Sequence, residues 1–196
     1  FGSHGLDPAW LAHRFRFFER ICCPSVMAQT VRDFRWILLC DTATPGWALE
    51  RLQSLIGDDA RVELVLIDGP DTPLIWRRAI ATGLPAHVTH LITSRLDNDD
   101  GLARRFMETV QEQFAGQDEE FVNFPAGHTC FQGRVYGWRH PSSPFVSLVE
   151  RLVGPNRDCR TVMAEPHQDV AARYAVRQVA CGPAWLQVIH ARNAWN

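Results

Sequence analysis

The stretch HLITSRLDNDDGL, residues 90–102, decides how the rest of the chain is interpreted. Its first half predicts a buried β-strand, and three carboxylates follow within four positions, at Asp97, Asp99 and Asp100. Such closely spaced carboxylates repel one another unless a positive group lies between them. If the segment is extended, Asp97 and Asp99 point to the same side, roughly 6–7 Å apart. That spacing suits one divalent cation, Mg²⁺ or Mn²⁺, with coordination sites left open for substrate phosphates.

The same residues also fit a simpler role as a solvated turn. The sequence Asp-Asn-Asp-Asp-Gly has good turn chemistry, and Asp99 or Asp100 could cap a helix that the sequence predicts from Leu102. The local residues support both interpretations equally well. The choice between a cation site and a turn therefore depends on the rest of the chain.

The composition favours one globular domain without nucleic-acid chemistry. The chain has 196 residues, enough for a sizeable core, and a formal net charge of −2. Lysine is absent, which excludes a Schiff-base lysine within this chain. The six cysteines include no CxxC pair, so we expect neither a cysteine-rich zinc site nor a disulfide framework. No run reaches transmembrane length and no signal peptide is visible, so we expect a cytoplasmic protein, with peripheral membrane association left open.

The order of predicted elements indicates an α/β fold. Apolar residues at helical spacing predict a helix over residues 7–23 that ends at Pro24. Helices and strands then alternate, which implies a mostly parallel sheet covered on both faces. The second half predicts a hairpin over residues 119–138 and a last strand that ends at His190. The predicted strands of the first half are 36–40, 61–68 and 90–96, and the helices that follow them are 44–57, 73–84 and 102–114.

Two predicted strands end in acidic residues, and this raises the likelihood of a site. Strand 36–40 is followed by Asp41, and strand 90–96 leads into Asp97 and Asp99. Ligands of open α/β sheets bind at the carboxyl ends of the strands. Asp41 taken alone is typical of a turn residue or a helix cap, and His190 alone is typical of a structural histidine.

Three segments resemble nucleotide-sugar glycosyltransferases of the GT-A fold. The segment WILLCDTATPG is similar to their second strand, LITSRLDNDD to the strand before their Asp-X-Asp metal motif, and WLQVIHARN to the segment that carries a third metal ligand. Along its whole length the chain resembles, more narrowly, the putative rhamnosyltransferase family. The segments that carry this second resemblance are CPSVMAQTVRDFRWILLCD, TSRLDNDDGLARRF, HPSSPFVSLVE and PAWLQVIHARN.

The resemblance implies a role for each matching residue around a donor nucleotide sugar. Asp97 and Asp99 would hold Mn²⁺ or Mg²⁺ against the donor diphosphate, and His190 would be a further ligand of the metal. Asp41 would contact the base or the ribose of the nucleotide. Arg95 would contact a phosphate or fix the aspartates, and a purely structural salt bridge is an equally good interpretation.

Transfer to a hydroxyl acceptor with inversion, which the resemblance also implies, needs a base that takes the acceptor's proton. Related inverting enzymes use a carboxylate in the second half for this step. The candidates here are Asp169, which precedes a possible helix, and Glu150, in the segment SLVE. The residues do not separate these two, and either could be an ordinary surface or capping carboxylate. His167 helps to bind the acceptor or has no role.

The resemblance predicts a single glycosyltransferase domain over residues 1–196. Residues 1–115 would form the nucleotide-sugar-binding half, with a Rossmann-like mostly parallel sheet flanked by helices, and residues 116–196 an acceptor half with a smaller mixed β region. GT-A enzymes begin with a strand that contacts the nucleotide, but FGSHGLDPAW is polar and loop-like. We therefore expect this strand to lie upstream of the present chain. The alternative function is a catalytically degenerate module that binds a nucleotide, or a glycan on its aromatic hairpin.

Overall fold

The computed structural model describes residues 7–68, 73–154 and 158–190, which form three β-sheets with helices packed against them. The α-helices of this described part are α1 (Pro8–Phe17), α2 (Cys23–Met27), α3 (Gly46–Ile56), α4 (Pro73–Ala81), α5 (Phe106–Gln111) and α6 (His167–Arg173). The strands are β1 (Trp36–Asp41), β2 (Val62–Ile67), β3 (His90–Ser94), β4 (Gly101–Leu102), β5 (Glu119–Asn123), β6 (Ala126–Phe131), β7 (Arg134–Arg139), β8 (Ser147–Arg151), β9 (Val176–Gln178) and β10 (Trp185–Ile189).

The first sheet pairs β1 with β2 in parallel, as the alternating pattern predicts. Trp36 lies opposite Val62, and the pairing continues to the end of both strands. The helix α3 between them begins after Pro45 and ends at Gly57, whose φ of 59° is the left-handed conformation that favours glycine. Both predicted strands and the helix between them are confirmed.

The first helical segment continues beyond Pro24, so the prediction that it ends there is wrong. After α1 a π-helical turn, Phe18–Cys22, carries the chain into α2. The Cys23 N–H bonds back to the carbonyl of Phe18 across this wider turn. Pro24 then lies in the first turn of α2, where a missing backbone N–H costs nothing. The π-turn thus lets one helical segment contain a proline.

The other two sheets mix parallel and antiparallel pairs, which corrects the expectation of one mostly parallel sheet. β3 does not join the sheet of β1 and β2. It pairs antiparallel with β8, a strand from the second half of the chain, in the order β3-β8-β5-β9. The third sheet has the order β4-β10-β6-β7, in which β10 runs parallel to β6 and antiparallel to β4. The fold is therefore mixed α/β. The predicted upstream strand concerns residues outside the described part, which begins at residue 7.

The helix predicted from Leu102 begins later, at Phe106. Gly101 and Leu102 instead form β4, and Leu102 lies opposite Trp185 of β10. The side chain of Leu102 is buried, and this tertiary pairing outweighs its helical spacing. Arg105 occupies the N-cap position of α5, so neither Asp99 nor Asp100 caps this helix.

The segment after β3 lies where two hydrophobic cores meet. One core joins α1, α3 and β1, and the other gathers around α5, β5 and β10. Leu96 packs against both of them. The residues that follow Leu96 are consequently held between the two halves of the chain.

The predicted hairpin and last strand are confirmed as β6–β7 and β10. Among the described residues, none of the helices combines the length and apolar character needed to cross a membrane.

Candidate active site

The three clustered aspartates belong to one tight turn. The N–H of Asp100 donates to the carbonyl of Asp97, 3.1 Å away, and residues 98 and 99 form the bend. The segment is therefore not extended, so the strand spacing considered for Asp97 and Asp99 does not apply. Each carboxylate of the turn has partners of its own.

Asp99 is buried against a cation that comes from the first helix. Its relative exposure is 2%, and that of Arg14 on α1 is 6%. Nη1 of Arg14 donates to Oδ2 of Asp99, and Nη2 donates to Oδ1 at 2.9 Å. Arg14 also donates to the side chain of Asn98. This two-point ion pair offsets the repulsion among the carboxylates of the turn. It also fixes the turn to α1.

His190 lies on the same carboxylate from the other end of the chain. Its Nε2 is 3.0 Å from Oδ2 of Asp99, and its ring stacks on Phe17 with centroids 4.5 Å apart. Its Nδ1 is 3.4 Å from Nε2 of His13. Burial lowers the pKa of His190, although the charge of Asp99 opposes this effect. Residues more than 80 positions apart thus meet at the turn.

Asp100 ties the turn to the last strand. Its carboxylate accepts a hydrogen bond from the N–H of Val188 in β10 at 2.7 Å, and its relative exposure is 4%. Burial raises the pKa of Asp100 well above its usual range, and the neighbouring charge of Asp99 raises it further. The position of His190 after β10 is therefore coupled to the geometry of the turn.

Asp97 is the carboxylate of the turn that solvent reaches. Its side chain is 44% exposed. Nε of Arg95 donates to one oxygen at 3.0 Å, and Nη2 donates to the other at 3.3 Å. This geometry agrees both with a role of Arg95 in fixing the aspartate and with a purely structural salt bridge, and its contact with a phosphate stays a prediction. A half-exposed carboxylate can still gain a ligand, because its bond to Arg95 is open to exchange with solvent.

Asp41 closes β1 in a turn of its own. Its carboxylate accepts from the N–H of Ala43 at 2.7 Å, and its carbonyl accepts from the N–H of Thr44. This is the local turn that an aspartate after a strand favours. Its predicted contact with the nucleotide base or ribose stays a prediction.

The two candidate bases have different surroundings. Glu150 of β8 is 4% exposed, and its two oxygens accept from the backbone N–H groups of Arg160, at 2.6 Å, and Thr161, at 2.9 Å. Burial raises the pKa of Glu150, and these two hydrogen bonds oppose the rise. Asp169 is exposed in the first turn of α6. Glu150 therefore holds the chain around residues 160 and 161 in place, whereas Asp169 is open to an acceptor.

A second polar cluster lies at the segment that precedes β8, the strand that pairs with β3. His167, at the start of α6, and His140 have ring centroids 5.9 Å apart and both bond to the backbone of Ser142. The charges of Arg95 and Asp97 both act on the pKa of His167. The charges of the aspartate turn are therefore felt at the start of α6, two positions before Asp169.

The oxygen ligands of the turn fit a cation that completes its coordination with phosphate oxygens. Among the described residues, no three His, Cys, Asp or Glu side chains gather into a metal site. Mg²⁺ is often bound by only one or two carboxylates together with substrate phosphates. Asp97 is accessible for this role, whereas Asp99 and His190 are engaged with Arg14 and with each other. The predicted metal roles of these residues stay predictions.

Arg14 is the residue of this site that the sequence interpretation missed. It lies on the apolar face of α1 together with Leu11, Phe15 and Phe18. The helical spacing predicts a buried side chain at this position. An arginine there indicates an ion pair, because a buried guanidinium needs an acidic partner. The aspartate turn is the acidic segment that provides one.

Comparison with known families identifies one match. The family model described as "Putative rhamnosyl transferase" matches residues 4–196, almost the entire chain. No curated protein sequence matches. The matched range contains the aspartate turn, Arg14 and His190 together.

Proposed function

Since the chain belongs to the putative rhamnosyl transferase family, we propose that it is a glycosyltransferase of the GT-A type with its active site at the turn of Asp97, Asp99 and Asp100. It would move a sugar, rhamnose according to the family's name, from a nucleotide-diphosphate donor to a hydroxyl acceptor such as a glycan. The observation that carries this proposal is the meeting of Arg14, Asp99 and His190 from three distant parts of the chain.

The arrangement supports transfer because it places charged groups of both signs at one exposed edge of a rigid core. Asp99 and Asp100 are buried and hold the turn to α1 and β10. Asp97 and Arg95 lie at its partly exposed side. A leaving diphosphate needs positive charge, and Arg95 provides a planar guanidinium that matches phosphate oxygens. Buried partners keep these groups oriented without reorganisation during the reaction.

We also propose that Mn²⁺ or Mg²⁺ binds together with the donor, with Asp97 as the accessible carboxylate and Asp99 and His190 as the further predicted ligands. Such a cation stabilises the negative charge of the departing diphosphate. The protein's own part is to hold Asp97 at the surface of the turn, to bind the sugar and to take the proton from the acceptor. We propose Asp41, at the end of β1, as the contact of the nucleotide base or ribose.

The experiment that tests the proposal is a donor-cleavage assay on the full-length protein. dTDP-rhamnose, UDP-rhamnose and GDP-rhamnose are each incubated with and without MnCl₂, and release of the nucleoside diphosphate is measured. The proposal predicts slow cleavage of one donor, with water as the acceptor. Asp97→Asn should reduce this cleavage, while Asp118→Asn, which alters an exposed aspartate paired with Arg151, should not. Absence of cleavage of all three donors by the unaltered protein would refute the proposal.

A second candidate is a module that binds a glycan without turnover. All six residues of β7 are exposed. Tyr136 and Trp138, two positions apart on one face, are 47% and 53% exposed. Exposed aromatic rings at this spacing are suited to stacking against sugars. The donor-cleavage assay separates the two candidates, because a pure binding module releases no nucleoside diphosphate.

A further inference from the structure

Ser142 fixes the protons of two neighbouring histidines in opposite ways. The N–H of Ser142 donates to Nδ1 of His140 at 3.1 Å. The carbonyl of the same residue is 2.7 Å from Nδ1 of His167, and the Ser142 hydroxyl donates to the carbonyl of His167. One serine backbone therefore contacts the same ring atom of both histidines, once as a donor and once as an acceptor.

These contacts determine which nitrogen of each ring has a lone pair. A carbonyl oxygen only accepts, so Nδ1 of His167 must be protonated, and the neutral ring has its lone pair on Nε2. In His140 the situation is reversed, because Nδ1 accepts and the neutral ring is protonated on Nε2. His167 thus has a basic Nε2, held in orientation by a backbone carbonyl, and His140 has no lone pair there. This is how a general base is oriented by a hydrogen bond to its second nitrogen.

The basic ring is held by Ser142, in the segment that precedes β8. β8 begins opposite the end of β3 that leads into the aspartate turn, since Ser147 pairs with Ser94. Its pKa is lowered mainly by burial, and then by the charges of Arg95 and His140, whereas the charge of Asp97 and the bond to Ser142 oppose this. Burial therefore favours the neutral ring, whose lone pair is on Nε2. The charges of Arg95 and Asp97, where the donor diphosphate is proposed to bind, both act on the pKa of this ring.

We propose that His167 is the general base of the transfer reaction, an inference that rests on the proposed function. The O–H bond of the acceptor hydroxyl breaks and its proton passes to Nε2 of His167. The acceptor oxygen forms a bond with the anomeric carbon of the sugar, while the bond from that carbon to the diphosphate breaks. The electron pair of that bond leaves with the nucleoside diphosphate.

The two carboxylate candidates are less suited to this step. Both oxygens of Glu150 already accept backbone N–H groups in a buried strand. Asp169 is exposed two positions beyond His167 on α6, and the structure gives its carboxylate no orienting hydrogen bond among the described residues. The Ser142 carbonyl fixes both the ring of His167 and its protonated nitrogen, whereas no hydrogen bond within the described part of the chain orients the carboxylate of Asp169.

The test compares water and azide as acceptors for the donor that the full-length protein cleaves. Azide attacks the anomeric carbon as an anion and needs no base, whereas water must lose a proton. His167→Gln retains an amide N–H that can bond to the carbonyl of Ser142. We expect this variant to lower kcat for donor hydrolysis by roughly 10²–10⁴-fold, the usual contribution of a general base. Formation of the glycosyl azide and binding of the nucleoside diphosphate should stay close to those of the unaltered protein.

The pH profile provides a readout that does not depend on a variant. With water, kcat of the unaltered protein should fall at low pH as Nε2 becomes protonated, with a midpoint below the ordinary histidine value of about 6.5. With azide, kcat should follow only the protonation of azide itself, and the limb that belongs to Nε2 should be absent. His140→Gln is the matched control and should retain the acid limb, because it removes a ring without a lone pair on Nε2.

The outcomes separate this inference from the proposed function. If the unaltered protein cleaves a donor and His167→Gln cleaves it within threefold as fast, while Asp169→Asn is inactive with water and active with azide, then Asp169 is the base and the inference is wrong. An acid limb with azide at the same midpoint as with water, once the protonation of azide itself is accounted for, would overturn it as well. If the unaltered protein cleaves no donor, the proposed function fails, and the inference fails with it.

Discussion

Removal of Arg14 should destabilise the protein far more than removal of a typical surface arginine. Arg14 and Asp99 have side-chain exposures of only 8% and 3%, so Arg14→Ala leaves a buried carboxylate without its principal cation. Breaking a buried ion pair from one side costs about 3–5 kcal/mol. For a chain of this length, at ~2–4 °C for each kcal/mol, the midpoint of thermal unfolding should fall by roughly 6–20 °C.

The measurements are thermal and urea denaturation followed by tryptophan fluorescence, with Arg151→Ala as the matched control. Arg151 pairs with Asp118 at the surface, where the two side chains are 59% and 74% exposed. An exposed pair contributes at most about 1 kcal/mol, so the control should change little. The double variant Arg14→Met with Asp99→Asn should be more stable than Arg14→Met alone, because no buried charge is left unpaired.

The reasoning would be refuted if Arg14→Ala unfolded at the same urea concentration as Arg151→Ala. That result would mean that Asp99 is solvated, and that the aspartate turn is not held to α1 by this ion pair. A double variant less stable than Arg14→Met alone would contradict the account in a second way, because it would mean that Asp99 stabilises the fold without its arginine.

Three further substitutions test other parts of the structure. In Gly127→Ala the new Cβ would lie 2.1 Å from the ring of Trp185. The free energy of unfolding, measured by urea denaturation, should therefore fall by about 1–3 kcal/mol. Gly137→Ala is the control and should have little effect, because the space around Gly137 is open. Glu150→Ala leaves two backbone N–H groups without acceptors and should lower the free energy of unfolding by about 1–3 kcal/mol for each buried group, as measured by urea denaturation. Asp97→Asn should change stability by less than about 1 kcal/mol, because its ion pair is half exposed, while calorimetry should show weaker binding of a nucleoside diphosphate with Mn²⁺.

Local patterns predicted the first half of the fold well, because its elements bury one face at regular spacing. The strands β1 and β2 and the helix α3 follow directly from alternating or helical apolar residues and from Pro45 and Gly57. The partner of β3 could not be predicted in this way. The five residues of β3 are compatible with any buried neighbouring strand. The pairing with β8 depends on the path of the second half of the chain, which brings β8 alongside β3.

The sequence drew attention to the residues of the aspartate turn but did not predict their contacts. The density of carboxylates indicated the aspartate turn, and the resemblance indicated His190, which lies 3.0 Å from Asp99. The extended geometry assumed for Asp97 and Asp99 is wrong, because the hydrogen bond from Asp100 to Asp97 bends the segment. The partner of Asp99 comes from a helix more than 80 positions earlier, and no local pattern specifies such a long-range pairing.

The most direct test of the central claim is a thermal-shift titration of the full-length protein with dTDP, UDP and GDP, each with and without MnCl₂. A ligand that binds the folded state raises the midpoint of unfolding by mass action. We predict that one nucleoside diphosphate stabilises the unaltered protein more strongly with Mn²⁺ than without it, and that Asp97→Asn loses most of this difference. No shift with any of the three nucleotides, or an equal shift in Asp97→Asn, would contradict a donor site at the aspartate turn.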